Sequence, residues 1–249
     1  MTTLCPEYAR AWLRRWDAQQ ERYVAERERR FEVVGDVLRH ALADRPRPLV
    51  LDLGCGPGSL AVRLARRLPD ARVIGVDTDP LLLALGRSAY PEVARFAEAD
   101  LRRPGWTARL GLEEAADAVV SATALHYLPV ADLAAVYEEL AGLIRPGGLF
   151  VNADNLYDEQ PAIAALAAAV RGERVGDGED WASWWRAAGQ DPVLAPLVAA
   201  REAGGTVEGD HRVSVAVHAA LLRQAGFAQV GTVWQTGDDV VLAAVRQAP

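Results

Sequence analysis

Apolar and polar residues alternate along residues 6–43 with the three- and four-residue spacing of an amphipathic α-helix. The spacing predicts one N-terminal helix that ends before Pro46, where the chain reads Arg-Pro-Arg-Pro. Its apolar face is rich in aromatic side chains, among them Trp16 and Tyr23. Two interpretations stay open: the aromatic face packs into a core, or Trp16 and Tyr23 also face a ligand.

After this helix, short apolar runs alternate with segments of helical spacing. Helices are predicted at 59–68, 80–88, 130–143 and 214–224. Strands are predicted at 49–53, 72–76, 94–97, 118–121, 149–153, 229–236 and 239–246, the last two joined by a Gly-Asp turn as an antiparallel hairpin. Elements that alternate at this spacing form βαβ units, whose parallel sheet is buried on both faces. The pattern therefore predicts an α/β fold with a mostly parallel, seven-stranded sheet.

Residues 156–210 interrupt this alternation. The segment is rich in Ala, Gly and Pro and carries Trp181, Trp184 and Trp185 between weak helical stretches. We interpret it as a helical cap inserted into the sheet domain. The chain would then divide into an N-terminal helical cover at 1–45, a core at 46–155 and 211–249, and the cap at 156–210.

The composition restricts the class of protein. The 249 residues are 51% hydrophobic and 24% charged, which is typical of a soluble globular protein. The formal net charge of −7 argues against nucleic acid and anionic membranes as partners. All basic residues other than histidine are arginine, which excludes Schiff-base and Walker-A lysine chemistry. Two cysteines without paired spacing, Cys5 and Cys55, and no visible signal or membrane segment predict a cytoplasmic protein.

The clearest chemical signal is a glycine-rich turn between the first strand and the next helix. Gly54, Gly56 and Gly58 permit positive φ angles and let a ligand approach the backbone, while the helix start supplies free N–H groups. A turn of this kind also opens the binding site for nicotinamide dinucleotides. The turn alone therefore does not identify the ligand.

Two acidic positions after the next strands add to this signal. Asp77 ends the second strand, where a carboxylate can accept both hydroxyls of a ribose. Asp100 and Leu101 follow the third strand, where a carboxylate can accept from an adenine amino group and a backbone N–H can meet a ring nitrogen. Asp77 does not discriminate between the two kinds of ligand site, since both use an acid there, whereas Asp100 and Leu101 do.

With these elements in order, the chain resembles the class I S-adenosylmethionine-dependent methyltransferases. The matching elements span about residues 48–155 and 211–249: the turn from Asp52 to Gly58, Asp77, Asp100-Leu101, Arg145-Pro146-Gly147-Gly148 and the closing helix from Leu221 to Phe227. A nicotinamide site is disfavoured, since Ser59 stands where that fingerprint has Gly or Ala and a hairpin closes the chain. A non-catalytic cofactor-binding protein stays open as an alternative.

The resemblance implies a Rossmann-like core that binds S-adenosylmethionine and releases S-adenosylhomocysteine. It implies that Asp52 orients the turn by hydrogen bonding to it. The remaining residues of the implied cofactor site are Gly54, Cys55, Gly56 and Gly58 of the turn, Asp77 and Thr78 at the ribose, Asp100 and Leu101 at the adenine, and Ser121 near the methionine end.

The acceptor would lie beyond the fourth strand. His126 follows that strand and is the best-placed general base, although it could instead be a packed, hydrogen-bonded histidine. His211, at the end of the cap, is a second candidate that would face the acceptor. Asp154 and Asn155 resemble half of a divalent-metal site, but Ser121 stands where the matching acid is needed, so no metal is predicted.

Aromatic residues are predicted to cover the acceptor. They are Trp16 and Tyr23 of the N-terminal cover and Trp181, Trp184 and Trp185 of the cap, which could also only attach the cap to the sheet. Such a cover suits a small, largely apolar organic acceptor, with secondary metabolites among the candidates. A protein or RNA acceptor is the alternative, and neither the methylated atom (O, N or C) nor the oligomeric state can be inferred from the sequence.

Overall fold

A central seven-stranded sheet organises the chain in the computed structural model, which describes residues 4–174, 176–205 and 209–248. The strand order is β3-β2-β1-β4-β5-β7-β6, and β7 runs antiparallel to the other six strands. The strands are β1 (Leu49–Leu53), β2 (Arg72–Asp77), β3 (Arg95–Glu98), β4 (Ala116–Ala122), β5 (Ile144–Asn155), β6 (Phe227–Thr236) and β7 (Asp239–Arg246). The predicted α/β fold with a Rossmann-like parallel sheet and a C-terminal hairpin is confirmed.

Helices cover both faces of this sheet. They are α1 (Pro6–Gln20), α2 (Arg27–Ala41), α3 (Ser59–Arg67), α4 (Pro80–Ala89), α5 (Val130–Leu143), α6 (Pro161–Gly172), α7 (Trp181–Gln190), α8 (Ala195–Gly204) and α9 (Val215–Gln224). On one face, α2 and α3 pack on β1, β4 and β5 around Val34, Leu64 and Val151. On the other, α5 and α9 enclose Tyr137 and Phe150. Burial on both faces explains why the strands are continuous apolar runs.

The predicted single helix over 6–43 is wrong. The chain leaves α1 at residue 20 and starts α2 at Arg27, and Glu26 between them has a left-handed φ of 52°. The two helices bury their apolar faces against different surfaces: α2 packs on the sheet, whereas α1 packs on α4 and α7. A straight helix cannot reach both surfaces, so the chain turns even though the apolar spacing continues.

Strand β5 begins five residues before its predicted start at residue 149. It includes the Arg-Pro-Gly-Gly stretch that reads as a turn, and the register with β4 shifts between Ala116 and Ala118. Gly147 has a φ of 70° there, which only glycine adopts without strain. The strand therefore passes through a bulge.

The segment 156–210 divides into two parts. Helix α6 lies beside the β6–β7 hairpin and has no buried residue, while α7 and α8 pack on α1 and α4. The N-terminal cover also divides, because α1 joins this group and α2 belongs to the sheet. None of the helices in the described ranges has both the length and the apolar character that crossing a membrane requires.

Candidate active site

A cavity of about 1190 Å³ opens where the carboxyl ends of β1, β2 and β4 meet. The lining residues at the strand ends, which form the floor, include Gly54, Gly56, Asp77, Thr78, Asp100 and Leu101. The rest of the lining, the wall, includes Trp16, Tyr23, His126, Tyr127, Trp181 and Trp185. Pockets for one small ligand typically have about 300–1,000 Å³. The cavity therefore has room for two molecules side by side.

The glycine turn has the predicted open backbone. Gly54 and Gly56 have φ angles of 64° and 54°, and a Cβ on Gly54 would lie 2.3 Å from Cβ of Ala124. Gly58 lies outside the cavity lining, where a Cβ would meet the ring of Phe96. Cys55 packs its buried thiol against Phe96 and Leu83, and burial raises the pKa of this thiol well above its ordinary value. Gly58 and Cys55 therefore pack against neighbouring side chains and do not line the large cavity.

Asp52 does not make the expected hydrogen bond to this turn. Its side chain is buried, its Oδ2 has no hydrogen-bond partner among the described residues, and it borders a cavity of about 60 Å³ beneath Gly54. Burial raises the pKa of Asp52 to about 8, while a backbone hydrogen bond from Ala61 opposes the rise. The predicted role is therefore corrected: Asp52 is a buried acid that faces the start of α3.

Asp77 holds the turn and faces the cavity. Its Oδ2 accepts the backbone N–H of Gly56 at 2.7 Å, and its Oδ1 accepts those of Thr78 at 2.7 Å and Asp79 at 2.9 Å. Burial raises the pKa of Asp77, although the three N–H groups act against the rise. One carboxylate thus connects the ends of β1 and β2.

The third strand leads to Asp100 and Leu101. Arg102 donates to both carboxylate oxygens of Asp100 at 2.9 Å, which lowers the pKa of this group. Each carboxylate oxygen has two lone pairs, so Asp100 can still accept a further donor. The backbone N–H of Leu101 donates to no described residue. Both groups are therefore available to an adenine ring.

Ser121 lies in a different place from the one predicted. It is fully buried, its Oγ donates to the carbonyl oxygen of Leu53 at 2.9 Å, and it is not part of the cavity wall. The wall is formed instead by Thr123, whose φ is 52°, and by Ala124. No local pattern in the sequence indicates this positive φ at a threonine.

His126 and Asp154, considered separately in the sequence, form a pair. The Nδ1 atom of His126 lies 2.8 Å from Oδ1 of Asp154, and the backbone N–H of His126 donates to Oδ2 at 3.3 Å. Asp154 is fully buried, whereas His126 lines the cavity. If Nδ1 carries the proton shared with Asp154, the Nε2 lone pair is free, since no described residue bonds to Nε2.

The pair also sets the protonation of both groups. Burial by itself lowers the pKa of His126, but the charge and hydrogen bond of Asp154 outweigh it, and the pKa is raised above its ordinary value. Burial opposes ionisation of Asp154, but His126 lowers its pKa overall. The described residues contain no group of three or more His, Cys, Asp or Glu arranged to hold a metal ion.

His211 contributes its backbone to this region. Its N–H donates to the carbonyl oxygen of His126 at 3.0 Å, while its side chain is exposed and is not part of the cavity wall. The structure therefore does not bring the His211 side chain to the cavity. Asp210, beside it, lines the cavity and accepts a hydrogen bond from the hydroxyl of Tyr157.

The N-terminal and inserted aromatic residues form one wall. The ring of Trp16 lies 5.2 Å from that of Trp181, and the Tyr23 hydroxyl accepts the backbone N–H of Trp181 at 2.9 Å. Trp185 also lines the cavity, whereas Trp184 is fully buried behind it and does not. For Trp184, the structure thus favours packing, which is one of the two interpretations that the sequence left open.

Two arginines of this wall were missed in the sequence. The Nε of Arg201 lies 2.8 Å from Oδ2 of Asp79, and its guanidinium lies 4.0 Å from the ring centroid of Trp185. Arg171 lies 3.1 Å from Asp238. From the sequence, an arginine on α6 or α8 is expected to lie on the protein surface, because helical spacing does not indicate that these helices border a cavity. The wall is therefore less apolar than expected.

Several known proteins are similar to this chain in sequence. The family model described as a methyltransferase domain matches residues 50–148. The trans-aconitate 2-methyltransferase of Methylobacterium radiotolerans is 34% identical over 175 residues, which are 70% of this chain and 59% of the relative. The enzyme of the same name from Methylobacterium nodulans is 33% identical over 188 residues, 70% of this chain and 68% of the relative. The chain belongs to the class I S-adenosylmethionine-dependent methyltransferases.

The solved structures agree on the fold of this methyltransferase. An O-methyltransferase family protein from Burkholderia thailandensis has a TM-score of 0.59 at 23% identity, covering 87% of this chain and 56% of that one. The match to the first relative likewise spans less than two thirds of that protein's length. The cofactor of the family to which the chain belongs is S-adenosylmethionine.

The site of this methyltransferase fits that cofactor. Gly54, Gly56 and Asp77 border the cavity, and the Leu101 N–H has no partner among the described residues, so these groups are available to that cofactor. The individual contacts remain predictions.

Replacement of Asp77 by alanine is expected to weaken binding of S-adenosylhomocysteine by about 10- to 150-fold, which corresponds to one charge-assisted hydrogen bond of roughly 1.5–3 kcal/mol. Calorimetric titration measures this directly. Asp70→Ala removes an exposed carboxylate before β2, at the opposite end of that strand, and serves as the control. An equal affinity in the Asp77 and Asp70 variants would contradict the ribose contact.

Proposed function

We propose that the chain transfers the methyl group of S-adenosylmethionine to a hydroxyl group of a small organic acceptor, with His126 as the general base. The observation that supports this most is the 2.8 Å contact between His126 Nδ1 and Asp154, which leaves Nε2 on the wall of the cofactor cavity. A base in this position is useful only if the acceptor atom carries a proton.

The cofactor, when bound, supplies an electrophilic methyl group on a sulfonium and leaves as S-adenosylhomocysteine. Nε2 of His126 takes the proton of the acceptor hydroxyl as the new bond to the methyl carbon forms. The buried Asp154 carboxylate stabilises the resulting imidazolium and fixes its ring. The protein otherwise acts by aligning the two molecules and excluding water.

The residues of the cavity wall favour a small acceptor. We propose that α1, α7 and α8 act as its cover, because Trp16 of α1, Trp181 and Trp185 of α7 and Arg201 of α8 border the cavity. Tyr127 and Tyr157 lie on the His126 side of the same cavity. We also propose a cytoplasmic location, since Cys5 and Cys55 are unpaired thiols.

A second candidate is a small carboxylate acceptor, which would become a methyl ester. Two relatives are trans-aconitate methyltransferases by name, and the guanidinium groups of Arg171 and Arg201 border the cavity. A carboxylate is already ionised at neutral pH and needs no base. His126 would then act as an imidazolium that binds the acceptor.

The pH dependence of turnover separates the two candidates. We would incubate the protein with methyl-labelled S-adenosylmethionine and two panels of acceptors, one of phenols and alcohols and one of di- and tricarboxylates including trans-aconitate. With a hydroxyl acceptor, kcat rises with pH through the raised pKa of His126, because only the neutral imidazole accepts a proton. Turnover of carboxylates alone, with kcat constant or falling over that range, would favour the second candidate.

A further inference from the structure

Arg30 of α2 is a fully buried arginine that contacts the end of β5. Its Nη1 donates to the carbonyl oxygen of Ala153 at 3.1 Å, and its Nη2 donates to Oδ1 of Asn155 at 3.0 Å. The same Nη2 forms an ion pair with Asp239, the residue of β7 that lies opposite Asn155. One guanidinium thus joins α2, β5 and β7.

These contacts fall on both sides of Asp154. Side chains alternate between the two faces of a strand, so Asn155 points toward α2 while Asp154 points toward His126 on the opposite face. Asp154 then fixes His126 through both the ring and the backbone N–H. Whatever holds residues 153 and 155 therefore also determines where the carboxylate of Asp154 lies.

Burying a guanidinium has a large desolvation cost, and an apolar side chain could fill the same volume at lower cost. The environment of the partner shows this cost, because burial raises the pKa of Asp239 to about 6 even though Arg30 opposes the rise. Arg30 is thus poorly explained by stability alone. Its contacts point instead to a role in the geometry of the neighbouring strand end.

We propose that Arg30 is a positioning residue for the His126 base, acting through the backbone of β5 and Asp154. The proposal rests on the proposed function of His126 as the base. It connects α2, which lies on the face of the sheet opposite His126, to the reacting groups.

The charge of Arg30 also affects the pKa of His126. The charged and titratable groups around His126 are Asp154 of β5, Asp210 before α9 and Arg30 of α2, with Tyr127 beside the ring. Arg30 lowers the pKa of His126 and favours the ionised form of Asp154. Removal of its charge is therefore expected to raise the pKa of His126.

The test measures the pKa of His126 by NMR in the complex with S-adenosylhomocysteine, with the signal assigned by its loss in His126→Gln. In Arg30→Met, the pKa of His126 should rise, the acidic limb of kcat should move to higher pH, and kcat should fall by about 10- to 100-fold. Arg30→Lys keeps the charge but cannot make the forked contacts, so it should lower kcat with a smaller change in the pKa of His126.

Arg145→Met is the matched control, because Arg145 forms an ion pair with Asp117 near the other end of β5, at 2.6 Å. It should leave the pKa of His126 unchanged. Arg30→Met alone leaves Asp239 unpaired, so Arg30→Met/Asp239→Asn keeps the test open if the single variant does not fold. If folded Arg30→Met, or the double variant where only that one folds, keeps the parental pKa of His126, the proposal is overturned. Because this pKa is read without turnover, a shift with an unchanged kcat would show that Arg30 acts on His126 while another group is the base, so the two failures are distinguishable.

Discussion

Replacement of His126 by glutamine is expected to lower kcat by about 10²- to 10⁴-fold and to remove the acidic limb of its pH profile. Glutamine can still donate a hydrogen bond to Asp154, but it cannot accept a proton near neutral pH. The affinity for S-adenosylhomocysteine should change little, because the predicted cofactor contacts lie in the glycine turn and at the ends of β2 and β3. Steady-state kinetics from about pH 5 to pH 9, around the ordinary histidine pKa, would measure both effects.

Two further variants make this result specific. Asp154→Asn should also lower kcat, since the imidazolium loses its stabilising carboxylate, and the pKa of His126 should fall. His40→Gln changes an exposed histidine in the last turn of α2 and should leave the profile unchanged. If His126→Gln keeps most of kcat and the parental pH profile, the histidine only positions the acceptor and proximity accounts for the reaction.

Replacement of Trp184 by alanine is expected to lower the free energy of unfolding by about 3–5 kcal/mol, the range for removing a buried tryptophan. The ring is fully buried, and its centroid lies 5.5 Å from that of Trp12 and 5.0 Å from those of Trp16 and Trp185. Its loss leaves a void between α1 and α7, which is where the N-terminal and inserted helices meet. Denaturant unfolding in the absence of ligand measures this change.

The neighbouring tryptophan gives the opposite expectation. Trp185 lines the cavity beneath the Arg201 guanidinium, so Trp185→Ala should raise the acceptor KM by about 2- to 12-fold, as for loss of roughly 0.5–1.5 kcal/mol of aromatic contact. Trp184→Phe should lower the free energy of unfolding less than Trp184→Ala, because it keeps one aromatic ring in the packed site and Nε1 of Trp184 has no described hydrogen-bond partner to lose. A Trp184→Ala variant with parental stability and a raised KM would show that the two roles are reversed.

Elements with a local signal could be predicted from the sequence. The predicted bounds of β1, β7 and α5 agree with those in the structure. The spacing of apolar residues in each of these elements depends only on which of its own side chains are buried. The glycine turn and Asp77 were predicted for the same reason, since a positive φ and a carboxylate at a strand end are properties of a few consecutive residues. His126 was also placed correctly on the cavity wall, because it follows a strand that ends there.

Tertiary structure alone decided which of these groups meet. His126 and Asp154 are 28 residues apart, and Arg30 reaches Asn155 across 125 residues. Alternation along a strand determines the two faces, but it does not determine which helix covers a face or which side chain it brings. The role of Trp184 could not be predicted for the same reason. The sequence of its helix indicates an aromatic face, but it does not indicate whether that face packs on α1 or contacts a ligand. The break between α1 and α2 also belongs here, because one apolar spacing can be buried against two differently oriented surfaces.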